Sequence, residues 1–270
     1  MDGEAGSDAL LALWRLRLVP DGDLCFDGHQ GFAWHGAFFG MIKRLDRALA
    51  ARLHRGSSTR AFRLSFPQRR LYERGKPIDL LIGSADPELN RAIDSLRVCT
   101  QGDGFRMGLE HVEMDLLSVE LLKSASMEYV ERFRLPASFA VQFRSATCFR
   151  SQGKHLLFPD PHTLFGSLLG RWNSLFNVQM TLYDEELDRV AVNGYRLHTR
   201  TLKMERFELI GFVGYVSYVS RGLKVESRSK LGNLLLLADY LGVGYHTTMG
   251  LGNCRVVFGA DRGGRGGEAV

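Results

Sequence analysis

Long apolar runs are missing from this chain of 270 residues. The longest in its second half, Leu234–Ala238, falls far short of the roughly 20 residues that cross a bilayer. The opening MDGEAGSDALLALW is acidic before a very short apolar stretch, whereas a secretory leader starts basic and continues apolar for longer. A cytoplasmic protein is the expectation, with no membrane partner. Cysteine is scarce: Cys25, Cys99, Cys148 and Cys254 lie far apart with no CxxC, which signals neither a zinc site nor a redox pair. Histidines in metal spacing are absent too, since His29, His111, His155, His162 and His198 form no HxxxH or HExxH. The acidic run Asp184, Glu185, Glu186 and Asp188 reads as a solvated helix face, which disfavours a two-metal nuclease. No metal and no cofactor are expected.

What is present is an ordinary globular composition with a basic tilt. Apolar residues make up 45% and charged ones 24%, enough for one large domain or two of usual size. Lys and Arg outnumber Asp and Glu by 35 to 30, and the pI of 9.1 is compatible with a polyanionic partner. The tail Ala260–Val270, rich in Gly and Arg, reads as a frayed end.

The hydrophobic pattern gives an order of elements. Trp14, Leu16 and Leu18 alternate with Arg15 and Arg17, as in a half-buried strand. From Phe32 to His54 the apolar residues Trp34, Phe38, Ile42, Leu45, Leu49 and Leu53 recur at steps of three or four, which predicts one long basic helix. Strands at 61–66 and 77–84 follow, then a helix capped by Asp86 with Pro87 at its first position, then a broken strand over 104–122. Strand, helix, strand, strand, helix, strand is the ferredoxin-like pattern, also seen in RNA-recognition motifs. It closes near residue 123. After a polar junction the pattern restarts with a strand at 139–150, a helix at 161–176, an inserted helix or loop at 183–193, strands near 195–202 and 207–220, a helix at 229–241 and a last strand at 253–258. The expected fold is α+β, two tandem ferredoxin-like domains over 1–123 and 137–258, with a tail at 259–270.

Two features carry chemistry. GVGYHTTMGLG, Gly242–Gly252, follows a helix and precedes a strand, the reverse of a dinucleotide fingerprint, and it ends without the Lys of a P-loop. What survives is a loop whose amides can approach phosphates or bases, or a tight connection needed for packing. Within it His246 either touches RNA or fills a turn. His54 ends the long helix, where the negative end of the helix dipole favours a cation while the nearby Arg55 and Arg60 oppose it. His35 lies at the other end of that helix. Nineteen residues of unbroken helix would hold the two about 28 Å apart, too far to share a site.

Taken together, LADYLGVGYHTTMGLGNCRV, FRSATCFRSQGKHLLFPDPHTLFGSLLGRWN and WHGAFFGMIKRLDRALAARLH with AFRLS after it resemble the CRISPR-associated endoribonucleases that cut precursor CRISPR RNA, within the RAMP superfamily. The resemblance spans residues 10–258. It implies paired ferredoxin-like domains and metal-free cleavage, in which a 2′-hydroxyl attacks the adjacent phosphate to leave a 2′,3′-cyclic phosphate and a 5′-hydroxyl. The family's helix-end histidine falls on His54, its lysine position on Arg60 and its tyrosine position near Phe39, which has no hydroxyl to titrate. His35, Tyr72 and Tyr245 are the replacements to consider. Gly242, Gly244, Gly250 and Gly252 carry over as RNA-facing backbone, so Gly250→Val is expected to weaken RNA binding and spare the fold. Arg144, Arg150 and Lys154 are candidate phosphate contacts. RNA, specifically the CRISPR repeat transcript, is the implied partner, with effector-complex subunits a further one and monomer against homodimer open. The competing reading is a non-catalytic RNA-binding RAMP subunit, favoured by the missing tyrosine. A generic RNA-recognition-motif protein ranks below both, because no RNP-like aromatic run marks the middle strands.

Overall fold

Alternation in the first strand survives as burial. In β1 (Leu11–Pro20), Trp14, Leu16 and Leu18 are fully buried while Arg15 and Arg17 stay half-exposed. The computed structural model describes residues 9–55, 61–99, 105–151, 153–204 and 207–259. The order continues with β2 (Leu24–Cys25), α1 (Gly31–Leu45), α2 (Arg47–Arg55), β3 (Phe62–Ser65), β4 (Leu71–Tyr72), β5 (Ile78–Ser84), α3 (Pro87–Cys99), β6 (Arg106–Leu109) and β7 (Val112–Ala125). A sheet of order β3-β5-β1-β7-β6 results, antiparallel throughout and continuous with the ferredoxin-like arrangement, with β6 added at its edge.

A short α4 (Met127–Arg132) fills the junction. The second unit then runs β8 (Ser138–Thr147), β9 (Phe149–Ser151), β10 (Lys154–Leu156), α5 (Pro161–Leu175), α6 (Asp184–Leu187), β11 (Val190–Lys203), β12 (Glu208–Ser220), α7 (Val225–Leu241) and β13 (Cys254–Phe258). Its sheet order, β11-β12-β8-β13, repeats that of the first unit. The fold is α+β with two ferredoxin-like sheets, as the element order implied. Two-residue strands and the β9–β10 hairpin escaped the pattern because so few residues cannot show a period. The helix before the glycine loop starts at Val225, four residues ahead of the expected Ser229, since polar residues fill its first turn.

Each unit has its own core, and two buried arginines fasten the units together. Arg63 on β3 donates to the carbonyls of Asp239 and Tyr240 and to Asn253 Oδ1, the last at 2.8 Å. Arg171 on α5 donates to the carbonyls of Leu241 (2.8 Å) and Gly242 (3.2 Å) and reaches Phe62 of the first unit at 3.3 Å. The last carbonyls of α7 have no partners within their own helix, so these guanidiniums both satisfy them and fix the seam. Burial, with repulsion from Arg63, pushes the Arg171 guanidinium down to about 9. At the same seam a Cβ on Gly83 would lie 1.9 Å from the Tyr240 carbonyl oxygen, so only glycine allows this approach. Among the described residues no helix is long and apolar enough to cross a membrane.

Candidate functional site

The long helix expected over 32–54 is broken, and the break makes a site. Asp46 takes an extended conformation (φ −152°, ψ 110°), its amide closing α1 on the Ile42 carbonyl at 2.8 Å. Its carboxylate then accepts the amides of Ala48 (2.8 Å) and Leu49 (2.9 Å), so one residue ends α1 and caps α2. Because α2 folds back along α1, His35 and His54 come to flank a single ring. Phe39 lies edge-on to His35 at 4.8 Å and to His54 at 5.3 Å between ring centroids. The two imidazoles can therefore be no farther apart than those spacings end to end, which overturns the 28 Å separation of an unbroken helix. Sequence periodicity missed the break because Ile42, Leu45, Leu49 and Leu53 keep helical spacing across it. Aspartate followed by a short basic amphipathic stretch was the available signal. Asp46→Ala should cost about 1 kcal/mol of stability and slow any reaction that needs both imidazoles, read by urea unfolding and by cleavage rate on the same variant.

His35 is tied to the glycine loop, its Nδ1 lying 3.2 Å from the Thr248 carbonyl oxygen. A carbonyl only accepts, so Nδ1 carries the proton and Nε2 of the neutral ring carries the lone pair. His54 is exposed in the last turn of α2. Arg60 lies outside the described residues, as does the tail after Gly259. Tyr72 does not replace the missing hydroxyl: it is buried, its one O–H proton is shared between the Pro67 carbonyl and Gln30 Oε1, and burial pushes its phenol further up. The hydroxyl of Tyr245 accepts from Arg150 at 3.4 Å, on the loop side of the seam.

Inside the glycine loop the glycines face protein. Gly242, Gly244, Gly250 and Gly252 all have positive φ, between 62° and 81°. A Cβ would meet the Gly252 carbonyl oxygen at 2.5 Å from Gly242, the Cys148 carbonyl oxygen at 2.4 Å from Gly244, the Phe66 ring at 2.6 Å from Gly250 and the Val243 carbonyl oxygen at 1.9 Å from Gly252. Amides of Gly242, Val243, Tyr245 and Gly252 are spent on the carbonyls of Ala238, Gly252, Cys148 and Ala146. These glycines thus let the loop pack closely on its own protein, while Gly244 and the half-buried side chains Tyr245, His246 and Met249 line the adjoining cleft. His246 holds a left-handed conformation (φ 59°), rare for a residue with a side chain. Burial, then His155 and Arg150, holds its imidazole below the usual range.

Beside the loop opens a cleft of about 680 Å³ lined by Arg150, Gly166, Gly170, Arg171, Tyr245 and His246. The Tyr245 and His246 rings pack at 3.6 Å, and the Arg150 guanidinium lies 5.5 Å over Tyr245. Lys154 is exposed on β10, pairing with Ser151 across the hairpin, and Arg144 is exposed on β8 with its amide on the Asn253 carbonyl at 2.7 Å. Cleft, hairpin and imidazole pair therefore surround one loop, from opposite sides of the seam. Arg171, which holds the loop, was not singled out from sequence; a lone charge in the otherwise uncharged helix around LLGRWN was its signal. Among the described residues no group of three or more His, Cys, Asp or Glu is placed to hold a metal ion.

His29 stands just before α1, accepting the Gly31 amide at Nδ1 (3.0 Å). Burial, then His246, pushes it down to about 4. Between about pH 6.5 and 4 the unfolded chain binds a proton that the native one refuses, so stability falls as pH falls through that window, by at most about 3 kcal/mol. Urea midpoints measured from pH 7 to 4 should show this loss, and His29→Asn, which keeps an acceptor for Gly31, should flatten it.

Comparison with known proteins agrees with this architecture. The family model of the CRISPR-associated endoribonuclease Cas6 matches residues 141–254. The Cas6 endoribonuclease of Streptococcus thermophilus is 23% identical over 183 residues, 66% of this chain and 73% of that one. The Mycobacterium tuberculosis Cas6 endoribonuclease is 23% identical over 159 residues, and the match spans half its length. Among solved structures, a Cas6 product complex superposes with a TM-score of 0.73 at 23% identity, covering 92% of this chain and 100% of the other. Two ferredoxin-like sheets in tandem are the fold this chain shares with those structures. Residues 141–254 thus match the Cas6 endoribonuclease family, and nearly the whole chain shares the fold of solved Cas6 structures.

Proposed function

We propose that this protein is a metal-independent endoribonuclease that cuts CRISPR repeat RNA into guide RNAs, with His35 and His54 as its proton-transfer pair. The observation that carries the mechanism is the placement of both imidazoles against Phe39 at the α1–α2 break. Neutral His35, its tautomer held by Thr248, takes the 2′-hydroxyl proton at Nε2 as O2′ attacks the adjacent phosphorus. Protonated His54 delivers its proton to O5′ as the P–O5′ bond breaks. A 2′,3′-cyclic phosphate and a 5′-hydroxyl result, and each histidine ends in the state in which the other began. The crowded phosphate needs a cation, for which the sequence offers Arg60.

A phenylalanine at the tyrosine position favours the non-catalytic reading only if no second titratable group is near. His35 is near, and that weakens the alternative. The test is incubation of the protein with its own repeat RNA in EDTA and mapping of the ends. Cyclic phosphate with a 5′-hydroxyl is expected, and absence of cleavage under single-turnover conditions would leave the protein a binding subunit.

A further inference from the structure

The two sheets have the same topology but different charge on the faces that their own helices leave uncovered: neutralised on the first, basic on the second. On the first sheet the solvent-reaching arginines are neutralised: Arg15 pairs with Glu120, Arg17 with Asp79 at 2.9 Å, and Arg106 with Asp115 at 2.7 Å and Asp21 at 3.1 Å. On the second, the strands β8, β11, β12 and β13 contain one acidic residue, Glu208, at the start of β12.

Register places a row across all four strands of the second sheet: Arg196 opposite Tyr215, Tyr215 opposite Gln142, Gln142 opposite Arg255. Their chain neighbours Val141, Phe143, Val216, Cys254 and Val256 are buried on the helix side, so the row itself points away from the helices. Arg144 joins the row from one strand pleat away, its Nε 3.4 Å from Gln142 Oε1. Tyr215 is 47% exposed at the centre, so its ring is open to a stacking partner. At the other end of the same face Leu209 packs with Leu251 of the glycine loop, and Phe32 of α1 packs against that cluster. Strand β12 thus joins the row, at Tyr215, to the cluster under the loop that holds His35, at Leu209.

We infer that this face binds an unpaired stretch of RNA, with a base stacked on Tyr215 and phosphates on Arg196 and Arg255. Flat aromatic rings within a basic sheet bind single strands because every base has a face to stack, while a paired helix hides its bases. The inference rests on RNA being the substrate, and it adds a second contact region to the histidine site.

The test uses the full chain and a fluorescent eight-uridine RNA oligonucleotide, which has no hairpin. Tyr215→Ala should weaken binding about five-fold or more, and Tyr215→Phe should bind as the parent does. Arg196→Ala with Arg255→Ala should lower the slope of log affinity against log salt by roughly one. Arg17→Ala, on the neutralised sheet, should change nothing. All these positions are at least partly exposed, and unchanged melting temperatures would verify folding. Unaltered binding by Tyr215→Ala, or an equal loss from Arg17→Ala, would overturn the inference. If wild type fails to cut repeat RNA yet binds the oligonucleotide through Tyr215, the nuclease reading falls and this one stands. Efficient cutting with Tyr215-independent binding gives the converse.

Discussion

Single-turnover cleavage of repeat RNA falls about 10²- to 10⁴-fold in His54→Ala, the range that one positioned proton-transfer group supplies. His35→Asn falls in the same range. Asparagine can still donate to the Thr248 carbonyl, so the tie between α1 and the loop persists while the base is lost. The double variant is expected to be little slower than the worse single one, because an acid and a base acting in one step fail together. RNA affinity measured by filter binding should stay within a few-fold of wild type in both. That separates lost chemistry from lost binding.

The second large effect is structural. Gly252→Ala should destabilise the protein by more than about 3 kcal/mol: left-handed strain alone accounts for 1–3 kcal/mol, and the new Cβ would sit 1.9 Å from the Val243 carbonyl oxygen. Gly250→Val should unfold or displace the loop as well, since its Cβ meets the Phe66 ring at 2.6 Å. The expectation that this variant spares the fold is thereby replaced. Gly36→Ala serves as the control. That position on α1 has nothing within 4 Å and an ordinary helical backbone, so alanine should be neutral or stabilising by up to about 1 kcal/mol. Urea unfolding of the three variants decides it, and equal stability of Gly252→Ala and Gly36→Ala would contradict the packed-loop account.

The fold was legible because its signals are local and periodic. Alternation in β1, the Asp86 cap of α3 (its Oδ1 accepting the Leu89 amide at 3.0 Å) and the repeated order of elements needed no tertiary information. Asp86 also shows where legibility stops. Burial alone would raise its carboxyl, but bidentate hydrogen bonds from Arg52 on α2 hold it below the usual range, and nothing in the sequence joins positions 52 and 86.

The candidate site failed to read out for a related reason. Helical spacing runs unbroken through Asp46, so periodicity placed His35 and His54 at opposite ends of one rod, although the residue that folds the rod back was in plain view. The glycines are ambiguous for a different reason. Permissive backbone looks the same in sequence whether it approaches a phosphate or its own carbonyls, and only the atoms opposite each Cα distinguish the two.

The central claim is that His35 removes the 2′ proton and His54 protonates the departing 5′ oxygen. Repeat RNA carrying sulfur in place of that single bridging oxygen tests it most directly, since a thiolate leaves without protonation. On this substrate His54→Ala should cleave at close to the wild-type rate while His35→Asn stays slow. Rescue of His35→Asn instead, or no rescue of His54→Ala, would contradict the assignment.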